Sequence, residues 1–124
     1  MSSDQRGQAT VELALCLPLV AIVLAVIVQV GVIARDHVKV WHAAREAARV
    51  AAVDPDDAAI TRAAESVGLS PITVAVEPDV IERRQGEPVT VTVEHPPSLR
   101  VPVIGRLFEA LTLDAEASMR IEQP

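Results

Sequence analysis

The stretch LALCLPLVAIVLAVIVQVGVIA, residues 13–34, decides the fold of this 124-residue chain. It contains 22 consecutive residues without a charge. As an α-helix it would be about 33 Å long, enough to cross the roughly 30 Å hydrocarbon core of a bilayer. The alternative is a buried helix of a soluble protein, but the remaining residues, about 90, are too few to surround it. The stretch therefore predicts one transmembrane helix.

Two kinds of proteolytic processing compete with a permanent anchor. A signal peptidase would accept residues 32–34 as a small-residue cleavage site, but apolar regions of signals usually have about 7–15 residues, and Glu12 directly precedes this longer run. Lipoprotein processing at Cys16 is excluded, because Leu15 is too large for the preceding position and almost no apolar stretch comes before it. Cleavage after Ala34 stays open as the basis of a secreted alternative.

Composition argues against several classes of function. One Trp, one Phe and no Tyr leave few flat rings for stacking nucleic-acid bases or sugars. The formal net charge is −6, to which residues 1–34, 35–53 and 54–124 contribute −1, +2 and −7. Such an acidic C-terminal part argues against nucleic-acid binding. The single cysteine allows no internal disulfide.

Glu12, a carboxylate, directly precedes the apolar run. Insertion scales assign about 2.5–3.5 kcal/mol to Asp at a membrane helix centre, and less toward the interface, so such a group normally has a partner. If the chain were cut between Gly7 and Gln8, the new α-amine would lie about one turn away. Glu12 could also neutralise the amine of a neighbouring chain and fix the axial register of an assembly. Alternatively it lies among head groups, where a negative charge suits the helix dipole.

The residues around this carboxylate resemble a processing site of type IV pilin-like proteins, namely a glycine, four residues, a glutamate and an apolar helix. The longer string GQATVELALCLP (residues 7–18), followed about 25 residues later by HAAREAARVAA (residues 42–52), resembles the TadE-like pseudopilins, or minor pilins, of tight-adherence (Flp) pilus systems. The resemblance is dense over residues 6–53 and limited to pattern elsewhere. Major pilins of these systems often carry an aromatic where Leu13 stands and are usually shorter, which favours a minor pilin.

This resemblance implies site residues. A prepilin peptidase would cut between Gly7 and Gln8, Glu12 would set the register, and Pro18 would be the proline early in the membrane helix. Independently of the resemblance, Pro18 cannot donate to the Ala14 carbonyl and would kink the helix, which membrane helices tolerate. An incidental kink is the alternative. The implied organisation is a prepilin leader, a transmembrane helix and a small α+β extracytoplasmic domain that includes a helix extension, at residues 1–7, 8–34, 35–124 and 35–53.

Partners and location also follow from the resemblance. The partners would be the prepilin peptidase, other pilin or pseudopilin subunits and the inner-membrane assembly platform, with no nucleic acid. The chain would cross the cytoplasmic membrane once, with its N-terminus in the cytoplasm, and would stay at the membrane or enter a surface filament. The positive-inside tendency opposes this orientation, because Arg6 alone precedes the apolar run and four cations follow it: Arg35, Lys39, Arg45 and Arg49. The processing motif favours it, because the peptidase acts on the cytoplasmic face.

Helical periodicity continues beyond the apolar run and predicts one helix from about residue 10 to residue 53. Alanines recur every four residues at 44, 48 and 52 and at 43, 47 and 51, a pattern of small faces that permits close packing. The three-residue spacings of Asp36 with Lys39 and of Glu46 with Arg49 predict ion pairs. Asp54 as N-cap and Pro55 as first residue predict a second helix over about 55–67, with Asp56 and Asp57 on its positive end and Gly68 as its stop.

Three later segments alternate with period two and predict strands: 72–76, 89–93 and 111–122. Arg83-Arg84-Gln85-Gly86 is the predicted turn between the first two, and we expect its arginines to be solvated; the alternative is that they contact an acidic neighbour. His95-Pro96-Pro97 should end the second strand, and a short helix is predicted around residues 104–110, with Leu107 and Phe108 as anchors. The predicted fold is therefore α+β, a long N-terminal helix and a second short helix packed on a small three-stranded antiparallel sheet, whose apolar face lies on the alanine-rich helix.

We find no motif for catalysis, a cofactor or a metal. His37 and His42 are five residues apart and do not share a helix face, and His95 has no second ligand nearby, so each is expected at a surface or an interface. The aspartates at 54, 56 and 57 lack the spacing of a calcium loop. The sequence indicates a non-enzymatic minor pilin that helps to assemble a tight-adherence pilus or a related secretion filament. The alternative is a membrane-anchored or secreted small binding domain without a filament role.

Overall fold

In a computed structural model the chain has the predicted α+β fold. The structure describes residues 2–97, 106 and 111–122. Apart from Arg106, the short helix predicted around residues 104–110 lies outside them. The elements are α1 (Ser2–Ala51), α2 (Asp57–Glu65), β1 (Thr73–Glu77), β2 (Pro88–His95) and β3 (Leu113–Arg120). The long helix, the short second helix and the three-stranded antiparallel sheet are all confirmed.

Helix α1 has 50 residues and is therefore about 75 Å long. It begins earlier than predicted, before residue 10, because a single glycine costs an exposed helix only about 1 kcal/mol and nothing else interrupts the first two turns. The Thr10 hydroxyl donates to the Arg6 carbonyl at 2.9 Å, a bond that belongs to this early part. Pro18 lies inside the helix without ending it.

The two halves of α1 have different surroundings. The N-terminal half has a mean hydropathy of 2.9 over its most apolar 18 residues, and none of that window is buried within the protein. Among the described residues it is the one helix long and apolar enough to cross a membrane, judged by length and composition. The C-terminal half forms one side of the core, where its alanines are buried: Ala43, Ala44, Ala47, Ala48 and Ala51. One helix is thus both the candidate anchor and a core element.

The sheet has the order β1-β2-β3, with antiparallel neighbours. The valines of β2 at 89, 91 and 93 are fully buried and alternate with threonines, as the period-two pattern predicts. Small alanine faces on α1 let the sheet approach closely. The segment just after β3 is held to the end of α1, because Glu122 donates its backbone N–H to the Ala52 carbonyl at 2.9 Å.

Helix α2 begins two residues later than predicted. Its N-cap is Asp56, whose carboxylate accepts from the Ala58 N–H at 3.1 Å, rather than Asp54. Asp54 instead accepts from the Asp56 N–H at 2.9 Å and closes a turn before the helix. Gly68 follows the end of the helix with φ of 82°, a left-handed conformation that glycine adopts without strain.

The prediction that both arginines of the β1–β2 connection are solvated is wrong for Arg83. Its side chain is only 5% exposed, and its Nη2 lies 2.8 Å from the Asp57 carboxylate. Its Nε and Nη1 donate to the carbonyls of Pro78 and Pro55 at 2.9 and 3.1 Å. Arg84 is exposed. The connection folds back onto the start of α2 because one guanidinium satisfies three acceptors, two of which, the Pro55 carbonyl and the Asp57 carboxylate, lie at the start of α2.

His95 is not on the surface, one of the two positions predicted for it, but is buried inside the protein. Its Nδ1 lies 2.7 Å from the Pro71 carbonyl and must donate, since a carbonyl only accepts. Its Nε2 faces the buried Asp36 carboxylate at 3.9 Å across the helix–sheet interface. Asp36 therefore turns inward and does not pair with Lys39, whereas the predicted Glu46–Arg49 pair is formed at 2.6 Å.

Replacing the buried alanine of α2 should destabilise the domain. We expect Ala64→Leu to lower the free energy of unfolding by about 1–3 kcal/mol, because added methyl groups in a filled core force neighbouring atoms apart. Ala64 is fully buried, whereas Ala58 in the same helix is exposed, so Ala58→Leu is the matched control and should have almost no effect. Thermal unfolding of the full chain in detergent micelles would measure both. Equal losses of stability would contradict the packing described here.

The two neighbouring arginines provide a second test. Arg83→Ala should cost about 1.5–3 kcal/mol, because it removes hydrogen bonds from a charged donor and leaves two carbonyls unpaired. Arg84→Ala should stay within about 0.5 kcal/mol of the parent, as is usual for exposed positions. Urea titration followed by limited proteolysis of the full chain would compare them. If Arg83→Ala is as stable as Arg84→Ala, the guanidinium does not hold the connection.

Candidate functional site at the start of the long helix

All the predicted site residues lie on the first five turns of α1, and all are exposed. Gly7 and Gln8 belong to the first two turns, Glu12 follows one turn after Gln8, and Pro18 lies further along the same helix. The structure brings two of these residues together, because the Gln8 side-chain amide donates to the Glu12 carboxylate at 3.4 Å. Gly7 and Pro18 take no part in that contact.

Nothing in the fold explains the choice of glycine at position 7. A Cβ added there would meet no atom within 4 Å, and its φ is not positive. A helical glycine without a packing role costs about 1 kcal/mol relative to alanine. Gly31 on the same helix is equally open. The glycine at the predicted scissile bond therefore serves neither close packing nor a turn in the folded chain.

Glu12 is a charged group on an apolar surface. Its neighbours Val11, Leu13 and Leu15 are 59%, 64% and 73% exposed, so the carboxylate adjoins a continuous apolar exterior. Within the part of the chain that the structure describes, Glu12 forms no ion pair, and its side-chain partner is the neutral amide of Gln8. Such a carboxylate is available to a cation from outside the chain, and an apolar environment would strengthen that attraction.

The chemistry of this region is that of a substrate and a contact surface. Residues 2–97, 106 and 111–122 contain no group of three or more metal-ligating side chains, and Cys16 is exposed without an adjacent base. The Gly7–Gln8 bond is exposed but helical. Helix termini fray readily, so local unwinding of the first turns would present that bond in an extended form at low cost.

Helix α1 has a second feature that was not predicted from the sequence. Three side chains in a row contact one another on its exposed side, beyond the apolar half. The Trp41 indole N–H donates to the His37 imidazole at 3.2 Å, and the Arg45 guanidinium lies 6.0 Å from the Trp41 ring centroid. His37 and Arg45, four residues before and four residues after Trp41, are both exposed, as predicted for His37. The four-residue spacing of 37, 41 and 45 carries the signal, because residues so spaced are neighbours on a helix surface.

Comparison with known proteins gives one family match, and it lies within the long helix. Residues 7–49, about a third of the chain, match the model of the TadE-like protein family, which confirms the resemblance over that segment. The matched residues include the whole apolar stretch and most of the part of α1 that packs on the sheet. The match agrees with a single-pass membrane anchor formed by the apolar half of α1. No curated protein and no solved structure matches the chain.

Proposed function

We propose that this chain, which is TadE-like over residues 7–49, is a minor pilin that helps to assemble a tight-adherence pilus or a related secretion filament. The observation that carries the proposal is Glu12, a carboxylate without an ion-pair partner among the described residues, at the start of an exposed apolar helix. The same helix continues into the core of a small domain. An anchor alone needs no charge at this depth, whereas an assembly uses one to fix its register.

Processing would create the group that Glu12 needs. A prepilin peptidase would release residues 1–7 and leave Gln8 with a free α-amine. Gln8 and Glu12 are one turn apart and already in contact at 3.4 Å, so the amine would form close to the carboxylate. In an array of parallel helices the Glu12 of one subunit would instead reach the amine of its neighbour, at an axial offset of about 6 Å.

The proposed organisation is a leader at residues 1–7, a transmembrane helix at residues 8–34 and an extracytoplasmic domain at residues 35–124. The cations that oppose this orientation belong to a folded unit, because α1 between them is buried against the sheet at Val40, Ala43 and Ala47. The positive-inside tendency applies mainly to short loops, and folded domains translocate largely regardless of their charge. The domain structure therefore weakens that objection and supports an N-terminus in the cytoplasm.

The two exposed glycines of α1 test the cleavage. Gly7→Leu should abolish removal of residues 1–7 when the chain is coexpressed with a prepilin peptidase, because a side chain would crowd the scissile bond in the enzyme. Gly31→Leu is the matched control, since neither glycine has a neighbour within 4 Å, and it should be cut normally. Intact-mass analysis of the membrane-extracted protein reads the result. A mature protein that starts at Arg35 would favour the secreted alternative, and an uncut parent would favour a plain anchor.

Neutralising Glu12 should separate anchoring from assembly. We expect Glu12→Gln to keep membrane insertion and cleavage but to reduce co-purification with partner pilin subunits at least about tenfold, the result of losing roughly 1.4 kcal/mol or more of pairing in an apolar setting. Glu65→Gln, at an exposed glutamate of α2 that forms no ion pair with any described residue, is the control and should change co-purification little. Quantitative immunoblotting of sheared and membrane fractions would measure how much of each variant is incorporated with its partner subunits. Unchanged incorporation of Glu12→Gln would remove the register role.

A further inference from the structure

The exposed side of α1 beyond the apolar half carries unpaired positive charge. Arg35, Lys39 and Arg45 form no ion pair with any described residue, and Arg45 covers the ring of Trp41. The next two charges on this side neutralise each other, because Glu46 and Arg49 bond at 2.6 Å, which lowers the pKa of the Glu46 carboxyl. We call the exposed residues Arg35, Trp41 and Arg45 the basic helix face; Lys39 is half-buried and lies at its edge.

The outward surface of the sheet carries mostly the opposite charge, and Arg120 at the far end of β3 is the one cation on it among the strand residues. Four carboxylates point away from the core, and none pairs with a cation in the described part of the chain: Glu77, Glu94, Asp114 and Glu116. Glu94 and Asp114 stand directly opposite each other in the register of β2 and β3. Like charges in that position destabilise a sheet, so an external cation would relieve a cost built into the fold. We call these four residues the acidic sheet face.

Distance from the membrane argues that the basic helix face meets protein rather than lipid. Arg45 is eleven residues beyond Ala34, hence about 16 Å along α1 from the proposed end of the apolar segment. The polar head groups extend only about 5–7 Å beyond the hydrocarbon core on each side. Arg35 reaches that layer, but Trp41 and Arg45 lie beyond it. An acidic protein surface at the same height is therefore the better complement.

The two faces lie at the same height on the domain. His95 faces Asp36 at 3.9 Å, and β2 pairs His95 with Leu113, so β3 begins beside residue 36 of α1. Glu122, just beyond the other end of β3, bonds to Ala52. The strand therefore runs alongside residues 36–52 of the helix, and its outward carboxylates are level with the cations on the far side of the domain. Neighbouring copies anchored in parallel would bring the faces together.

We infer that the basic helix face of one copy docks on the acidic sheet face of the next copy of this chain. The inference deepens and rests on the proposed function, because it needs parallel copies anchored in one membrane. The two faces are on opposite sides of a helix-on-sheet domain, so the contact is head-to-tail. Contacts of this kind repeat into rings or open arrays instead of stopping at a dimer.

Cysteine cross-linking of the full chain in phosphatidylcholine vesicles tests the contact, with Cys16→Ser as the background. The pair Arg45→Cys with Glu116→Cys should give a ladder of dimers, trimers and larger species after mild oxidation, because each copy offers both partners. Each single variant should give no ladder. Arg45→Cys with Ala58→Cys is the matched control, since Ala58 is exposed on α2, outside both faces. A double variant that cross-links no better than this control, or dimers formed by one single variant alone, would overturn the inference.

Charge exchange supplies a second readout that does not depend on oxidation. In sedimentation of the micelle-solubilised chain, Arg45→Glu and Glu116→Arg should each weaken self-association about tenfold, and the double exchange should restore it. Arg62→Glu, which changes an exposed arginine of α2, should have little effect. Failure of the double exchange to restore association would also overturn the inference.

The proposed function and the proposed contact can fail separately. If the chain keeps residues 1–7 in cells but still cross-links into a ladder, the proposed function is contradicted and the contact is supported. If the chain is cleaved correctly but gives no ladder, only the contact is contradicted.

Discussion

The structure depends on one continuous helix that serves two environments. A rod about 75 Å long has an apolar half whose most apolar 18 residues are not buried within the protein and an alanine-faced half that forms one side of the core. Neither half is independent, because the sheet packs on the same helix that leaves the domain. The small faces at Ala43, Ala44 and Ala47 let valines of β2 approach closely enough to fill the space.

Local periodicity explains how much of this fold could be predicted. The alternation of valine and threonine at 89–93 is a property of neighbouring residues, and the structure has that strand where the pattern indicates it. The interactions that were missed join distant positions. Arg83 bonds to Asp57, and His95 bonds to the Pro71 carbonyl, each more than twenty residues away. An arginine beside another arginine in a glycine-containing turn looks solvated until the partner segment is known.

For the candidate site, the sequence predicts the residues and the structure adds little about their role. Gly7, Gln8 and Glu12 were identified from sequence, because their spacing before an apolar run is a linear motif. The structure adds that the glycine has no packing role and that the carboxylate has no cation among the described residues. Contacts within a single chain explain neither the glycine nor the carboxylate. A group that completes its interactions on another molecule necessarily looks unexplained in isolation.

The proposed contacts of anchor and domain constrain each other. If Glu12 of one copy pairs with the amine of Gln8 in the next, the helices are displaced by about 6 Å along their axes. Outward residues on one strand repeat about every 7 Å, so this displacement moves the acidic sheet face by nearly one row relative to the basic helix face. Glu116 of one copy then remains within the span of cations on its neighbour. A single offset would therefore be compatible with both proposed contacts, the pairing of Glu12 with the amine of Gln8 and the contact of the sheet carboxylates with the helix cations.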